Sequence, residues 1–419
     1  MRILVISHGH PTFSIGGAEV ASYNLFQALN ATGAHDAFYL ARAAAPLLRH
    51  SASALMTLRH GEREVFLHTS AWDPFWLSNG ALDDLEGAFA QYLRHVAPDI
   101  VHFHHVIGFG LESLRQVRRT LPRAKIVITF HEYLSICPHH GQMVKTANNA
   151  LCRGASPAEC SQCLPQHSAG EMFQRERFIK SHLNLADAFV SPSQFLIERY
   201  VAWGLDRGRF SLIENGLNAV PPAPARALSA GGRRDRFGFF GQISAFKGLH
   251  VLLDAVARIP DPVWGDASQC IFGGNLENQP EQFRTKFTTL MEAAGRRARF
   301  YGSYRAEELP QLMSQVDWTV VPSIWWENSP LVIQEAFLHR RPPIVSDIGG
   351  MREKVSHGVN GLHFRNASPE SLADRLAEAL IEAGLWERLR EAAPDPPDLA
   401  TLAAMHLEVY ARSLAKVAA

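Results

Sequence analysis

Two glutamates eight positions apart, Glu327 and Glu335, lie within Trp325–Phe337 (WWENSPLVIQEAF). Ser329 suits a helix N-cap and Pro330 the first helical position, so the segment reads as a loop entering a helix. The unpaired N–H groups of that first turn, near Leu331 and Val332, then point out as an anion site, and the anion can be a phosphate. A carboxylate before the helix and another within it can accept hydrogen bonds from different hydroxyl-rich parts of one ligand. Phe239–Gly248 (FFGQISAFKG) runs from a strand through a glycine to Lys247 at a helix entrance, which also suits a bound phosphate. Gly16 and Gly17 open another helix and let backbone N–H groups approach an anion closely. His131 directly follows the apolar run Ile126–Phe130, which puts it at a strand end. Taken singly, a flexible turn, a structural histidine and a solvated lysine are the plain alternatives for these last three. The Gly16-Gly17 segment is neither a G-x-G-x-x-G nor a G-x-x-x-x-G-K-[ST] pattern, which counts against a nicotinamide enzyme and a P-loop ATPase.

A second chemical feature is a cysteine cluster. Cys137, Cys152, Cys160 and Cys163 are spaced C-x14-C-x7-C-x2-C, and Cys270 stands apart. In a chain read as cytosolic, four clustered thiols favour a metal over disulfides. Zn²⁺ on four thiolates is the expected occupant, an iron–sulfur cluster has the same ligand count, and four reduced, unliganded cysteines are the plain alternative. The segment 138–167 is long and has little apolar content, so a metal there would have a structural role, ordering a loop near His131. His139, His140 and His167 are available as substitute ligands.

The elements that must position these residues are short apolar runs alternating with helical patterns. Arg2–Ser7 reads as a strand and Ala18–Asn30 as a helix; further strands are expected at Asp99–His104, Lys125–Phe130, Ala188–Ser191 and Phe210–Ile213. A second series follows at Phe237–Gly241, Cys270–Gly273, Arg299–Gly302, Trp318–Pro322, Pro343–Ser346 and Leu362–Phe364. This pattern predicts an α/β chain with two doubly wound parallel sheets, whose ligands sit beyond the carboxyl ends of the strands, in a cleft where the two domains face each other. Val220–Arg236 (VPPAPARALSAGGRRDR) lacks a periodic apolar face and reads as a linker. The expected domains are 1–218, with the cysteine-rich insertion 137–167, then 219–395, then a final helix over 396–419 that is set off by Pro394–Asp398 and packs elsewhere, crossing back.

In this order along the chain, the motifs resemble retaining glycosyltransferases of the GT-B fold, specifically glycosyltransferase family 4. The resemblance rests on Glu327–Glu335 as an E-x7-E motif, Lys247-Gly248 after Gly241, Asp347–Gly350 (DIGG) followed by Glu353, and Asn360-Gly361-Leu362. Gly16-Gly17-Ala18-Glu19, His131, Ala186-Asp187-Ala188 before Pro192-Ser193, and Asn215-Gly216 extend it over nearly the whole chain. It implies a nucleotide-diphosphate sugar as donor, a saccharide or lipid-linked acceptor, retention at the anomeric carbon, and no requirement for a catalytic metal. It also implies roles: His131 and Glu327 catalytic, with Glu327 on the donor sugar and His131 beside sugar and acceptor; Lys247, Gly16 and Gly17 at the diphosphate; Glu335 at the ribose; Ser303 and Tyr304 at the base. Gln242, Asn328, Ser329, Leu331 and Val332 complete the implied donor site. Gln242 departs from the family pattern, which has an arginine there as a second diphosphate cation; glutamine donates hydrogen bonds but brings no charge.

Composition narrows the partners. The 419 residues carry 41 basic and 41 acidic side chains, so no global charge favours nucleic acid. No apolar run approaches the ~18 residues of a membrane span. The N-terminal run Ile3–Ile6 is shorter than the apolar core of a secretory signal. The expected setting is the cytoplasm, with peripheral contact at the inner face of the membrane left open, and the expected pathway is polysaccharide or glycoconjugate synthesis. A sugar-nucleotide epimerase on the same fold and a non-catalytic binding protein that recruits a partner through its cysteine loop are the rival readings.

Overall fold

Short, mostly apolar segments, the central ones buried on both faces, form two sheets that are parallel but for one edge pair. The computed structural model describes every residue except 14–15, 44–53, 58–60, 70–71, 84–85, 229–231, 275 and 416–419. Ile15, the middle of the expected linker and the last four residues of the final segment therefore lie outside the described residues. The chain forms two units, Met1–Asn218 together with Pro397–Ala419, and Ala219–Pro396.

The first unit holds β1 (Arg2–Ser7), β2 (Asp36–Ala43), β3 (Leu55–Thr57), β4 (Glu64–His68), β5 (Ile100–Phe103), β6 (Lys125–Thr129), β7 (Ala188–Ser191) and β8 (Phe210–Leu212). Their order is β3-β4-β2-β1-β5-β6-β7-β8, parallel except for the β3–β4 pair. The second unit holds β9 (Arg236–Phe240), β10 (Ser268–Phe272), β11 (Ala298–Gly302), β12 (Trp318–Val321), β13 (Pro343–Ser346) and β14 (Leu362–Phe364), ordered β11-β10-β9-β12-β13-β14 and parallel throughout. Strand order reverses between β1 and β5 in the first sheet and between β9 and β12 in the second. The loops leaving these four strands therefore diverge at their carboxyl ends and open a crevice in each unit.

The expected strands are present, within a residue or two at their ends. Three strands, β2 to β4, were not expected. Asp36–Ala43 (DAFYLARA) is rich in helix-favouring Ala and Leu; its strand form comes from pairing with β1, from Arg2↔Asp36 to Ser7↔Ala41. The helix Leu399–Ala415 belongs to the first unit, where Leu402, Ala403, Val409 and Tyr410 are buried with Ile3, Val5, Leu25 and Leu29. The stretch read as a linker is instead anchored to the second unit on both sides of residues 229–231. Arg226 pairs with Asp317 at 2.6 Å and Asp235 at 2.8 Å, and the backbone N–H of Ala223 donates to His339 at 3.0 Å. Polar anchoring of this kind leaves no apolar period in the sequence. Among the described residues, no helix is long and apolar enough to cross a membrane.

Candidate active site

In the second unit, the crevice residues come from the loops after β9 and β12. Lys247 ends the short turn Ala245–Lys247, and its ammonium lies 2.6 Å from Glu327 Oε1. Ser323 Oγ and Trp325 Nε1 donate to the same oxygen at 2.8 and 2.9 Å. Among the described residues no protein donor reaches Oε2. One carboxylate oxygen is thus saturated and the other remains to accept a hydroxyl. Burial alone would raise this carboxyl, but Lys247 and the donors from Ser323 and Trp325 outweigh it and hold it below its ordinary range. The close approach that creates this pair needs Gly248, whose φ is +69° and where a Cβ would stand 1.8 Å from the Pro322 carbonyl oxygen.

Beyond Glu327 the helix Leu331–Leu338 begins. Its N-cap is Pro330, with φ −65° and an extended ψ of 119°, so the expected placement, Ser329 as cap and Pro330 as first helical residue, is corrected by one position. Ser329 makes no cap; its buried hydroxyl has no hydrogen-bond partner. Without a side-chain cap, the N–H groups of Leu331 and Val332 meet no protein acceptor among the described residues. An orphaned hydroxyl and two free N–H groups at a helix N-terminus suit an anion's oxygens. Asn328, nearly buried, holds this loop against Gly349-Gly350, and the Gly350 N–H donates to the Glu327 carbonyl at 2.8 Å.

Glu335 lies one turn into the helix. Burial pushes its carboxyl up to about 7, and it acts electrostatically on the half-buried phenol of Tyr304. Ser303 is exposed against Gly274, and Gln242 is exposed after β9. Because the folded value of Glu335 exceeds its ordinary 4.5, the folded state holds the proton more tightly, and stability is lost as pH rises from about 4.5 through 7. Glu335→Gln is therefore expected to gain stability over the parent between pH 4 and 8, by on the order of 1–3 kcal/mol. Chemical denaturation without nucleotide measures this; an advantage that does not grow with pH rejects the buried-carboxyl reading.

In the first unit, Gly16 is the uncapped N-cap of the helix Gly17–Ala31 that follows β1. Glu19 in its first turn lies 3.2 Å from His8, and the His8 ring packs against His105, tilted by 59° with centroids 4.5 Å apart. His131, after β6, has Nε2 at 2.9 Å from His104 Nδ1, so one ring donates and the other accepts. Burial, with a smaller contribution from His8, lowers His131 to about 3 and keeps it neutral at pH 7. His102 inside β5 bonds Tyr410 and Thr129, each at 2.7 Å. The sequence reading missed His8, His104 and His105, although the strand-end logic that picked out His131 applies equally to HFHH after Val101. It also missed Ser323 and Trp325, whose role depends on which loop oxygen they reach. The structure brings Lys247 to Glu327 and places Glu335 and Tyr304 in the same unit; Gly16, Gly17 and His131 belong to the other unit.

Cys137, Cys152, Cys160 and Cys163 are free thiols lining one small cavity of about 30 Å³. Among the described residues, no three His, Cys, Asp or Glu side chains stand in a ready metal-ligating arrangement.

Two family models match the chain in tandem: "Glycosyltransferase Family 4" over residues 15–220 and "Glycosyl transferases group 1" over residues 226–395. A D-inositol 3-phosphate glycosyltransferase of Xylanimonas cellulosilytica is 26% identical over 309 residues, covering 70% of this chain and 66% of that protein. Other curated relatives match over shorter shares, such as 63% of a putative glycosyltransferase of Bacillus subtilis, so the chain spans less than two thirds of these relatives' length. By structure, the chain is similar to Anabaena HepE in complex with UDP and glucose, with TM-score 0.65 and 18% identity over 98% of this chain and 100% of that one. Sucrose-phosphate synthase from Thermosynechococcus elongatus gives TM-score 0.70 and 21% identity over 99% of both chains. With the tandem matches running in the order of its two sheets, and the GT-B fold shared with these structures, the chain belongs to glycosyltransferase family 4.

Proposed function

We propose that the protein transfers a glycosyl group from a nucleotide-diphosphate sugar to a hydroxyl of a saccharide or lipid-linked acceptor, with retention at the anomeric carbon. The observation that carries this reading is the Lys247–Glu327 pair at 2.6 Å, set beside a helix N-terminus whose first N–H groups are free. A cation and free N–H groups suit a diphosphate, and the unengaged oxygen of Glu327 suits a sugar hydroxyl. Glu335, with Tyr304, suits the ribose, and Ser303 the base. The UDP and glucose bound to Anabaena HepE, and the ADP bound to the catalytic domain of Arabidopsis starch synthase IV, support a nucleotide-diphosphate donor.

In the proposed reaction the bond from the anomeric carbon to the diphosphate oxygen breaks, and the bond to the acceptor oxygen forms on the same face. The acceptor's proton passes to the leaving phosphate oxygen. Lys247 and the N–H groups of Leu331 and Val332 neutralise charge as it grows on the diphosphate. Glu327 orients the sugar: with Oε1 already holding three donors it is a poor nucleophile, so retention proceeds without a glycosyl-enzyme intermediate. His131, neutral, accepts or donates a hydrogen bond at the sugar or acceptor. No catalytic metal enters this scheme. We place the reaction in the cytoplasm, in polysaccharide or glycoconjugate synthesis; a lipid-linked acceptor would bring the protein to the inner membrane face.

The test is turnover against a panel of UDP-, GDP- and ADP-sugars with saccharide and lipid-linked acceptors, with the product's anomeric configuration read by NMR. Transfer with retention supports the reading; inversion overturns retention, epimerised nucleotide sugar without transfer favours an epimerase, and binding without turnover a non-catalytic role. Gln242→Arg supplies the charge absent at that position. It is expected to tighten nucleoside-diphosphate binding about 3- to 10-fold by calorimetry, the scale of one added charge-assisted hydrogen bond. Unchanged affinity would show that residue 242 does not face the phosphates.

A further inference from the structure

The insertion between β6 and the helix Ala169–Leu183 is held by two different kinds of contact. Its first part packs well: Tyr133, Leu134, Ile136, Met143 and Val144 are all buried. Its second part does not. The helix Pro157–Cys163 buries no side chain, and seven residues are too few for a helix to be stable alone. Within 138–167, where low apolar content was expected, the buried apolar side chains are Met143 and Val144.

Three observations converge where the two parts meet. First, all four clustered cysteines line one cavity, Cys137 from the first part and Cys152, Cys160 and Cys163 from the second. Second, a backbone donor is aimed at sulfur: the Thr146 N–H lies 3.3 Å from Cys163 Sγ, while the Cys137 and Cys152 thiols reach the carbonyl oxygens of His139 at 3.9 Å and Gly154 at 3.1 Å. Such an N–H contact stabilises a thiolate and does little for a thiol. Third, Arg175 is only 2% exposed, yet among the described residues its guanidinium donates only to carbonyl oxygens, of Phe75, Leu134 and Ser135. A buried cation without a paired anion is costly. Arg175 acts electrostatically on Cys137 and Cys160, with Tyr200 and Glu132 the other groups facing it, while Lys145, paired first with Glu159, faces Cys152 and Cys163.

We infer that Cys137, Cys152, Cys160 and Cys163, which line one cavity without standing in a ready ligating arrangement, close on Zn²⁺ as a structural tetrathiolate site that fastens the second part of the insertion to the first. Binding replaces four S–H bonds with four Zn–S bonds and releases four protons, leaving a centre of net charge −2. Arg175, acting on Cys137 and Cys160, and Lys145, acting on Cys152 and Cys163, offset that charge. The side chain of Glu132, next to His131, packs under Gly141 and accepts from the Leu134 N–H, so the fastened segment also backs the strand end that carries His131. The inference does not depend on glycosyl transfer.

Full-length protein, purified anaerobically without a metal-binding tag, is expected to contain about one zinc per chain by elemental analysis. Cys163→Ser and Cys160→Ser are expected to lose most of it. Chelation of the unmodified protein, which avoids any folding defect of the variants, is expected to speed tryptic cleavage at Lys145 and Arg153 at least 10-fold. Refilling the chelated protein with Co²⁺ alone is expected to give the visible bands of a tetrahedral tetrathiolate centre. Nucleoside-diphosphate affinity is expected to be unchanged on chelation, because Lys247, Glu335 and the free N–H groups of Leu331 and Val332 lie in the second unit and Gly16 and Gly17 lie outside the insertion; this separates failure of the zinc site from failure of the glycosyltransferase reading. Protein that is metal-free as purified, takes up neither Zn²⁺ nor Co²⁺ and keeps its protease resistance overturns the site; iron with acid-labile sulfide overturns zinc as its occupant.

Discussion

Lys247→Ala is expected to lower kcat/KM for the transferred nucleotide sugar by about 100-fold or more, the scale seen when one group that stabilises developing charge is removed. The ammonium is 2.6 Å from Glu327 Oε1 and is the cation that holds this buried carboxylate ionised. Its removal therefore acts twice. The departing diphosphate loses its positive partner, and Glu327, only 8% exposed, loses the charge that offsets its burial. In the parent, the depressed carboxyl contributes stability above its unfolded value, lost as pH falls through the folded one. In the variant that carboxyl rises, so the acid limb of the pH–rate profile is expected to move to higher pH. Lys247→Arg restores the charge and is expected to recover the pH profile better than the rate, since a guanidinium does not match the geometry of an ammonium. Unchanged turnover in Lys247→Ala removes the residue from the mechanism.

Gly350→Ala is expected to destabilise the second unit by about 2–4 kcal/mol, within the range for forcing a side chain into filled space. A Cβ at this position would stand 1.5 Å from the Asn328 carbonyl oxygen and 2.5 Å from its carbon, both backbone atoms that cannot rotate away. The loop must move, and with it the Glu327 carbonyl that accepts from the Gly350 N–H. Donor affinity is expected to fall at least 10-fold together with the melting temperature. Gly80→Ala is the control: nothing lies within 4 Å of its Cβ, and it is expected to stay within ~0.5 kcal/mol of the parent. Equal melting of the parent and Gly350→Ala by calorimetry would show that the loop has room the structure does not indicate.

Most of the strand and helix pattern is legible in the sequence because burial on both faces of a parallel strand and the 3.6-residue period of a helix are local signals. So are the chemical types and spacings at Glu327–Glu335, Lys247-Gly248 and the four clustered cysteines, since each motif lies within one loop or one loop–helix junction. Asp36–Ala43 escaped this reading because its neighbour in the sheet, not its composition, makes it a strand. Residues 220–236 escaped it because Arg226 is held by an aspartate 91 positions away. Ser329 looked like a cap because residue type alone suggests one; the extended ψ of Pro330 moves the helix start to Leu331. Lys247 and Glu327 are 80 positions apart, and nothing local says they touch. Only the strand order that places β12 beside β9 brings their loops to one crevice, and only the tight approach at Gly248 closes the ion pair. The sequence by itself determined which groups are available for chemistry. The tertiary structure decided which oxygen of Glu327 is spent on Lys247 and which is left for a ligand, because hydrogen-bond partners are set by the packing of distant segments and not by their own order in the chain.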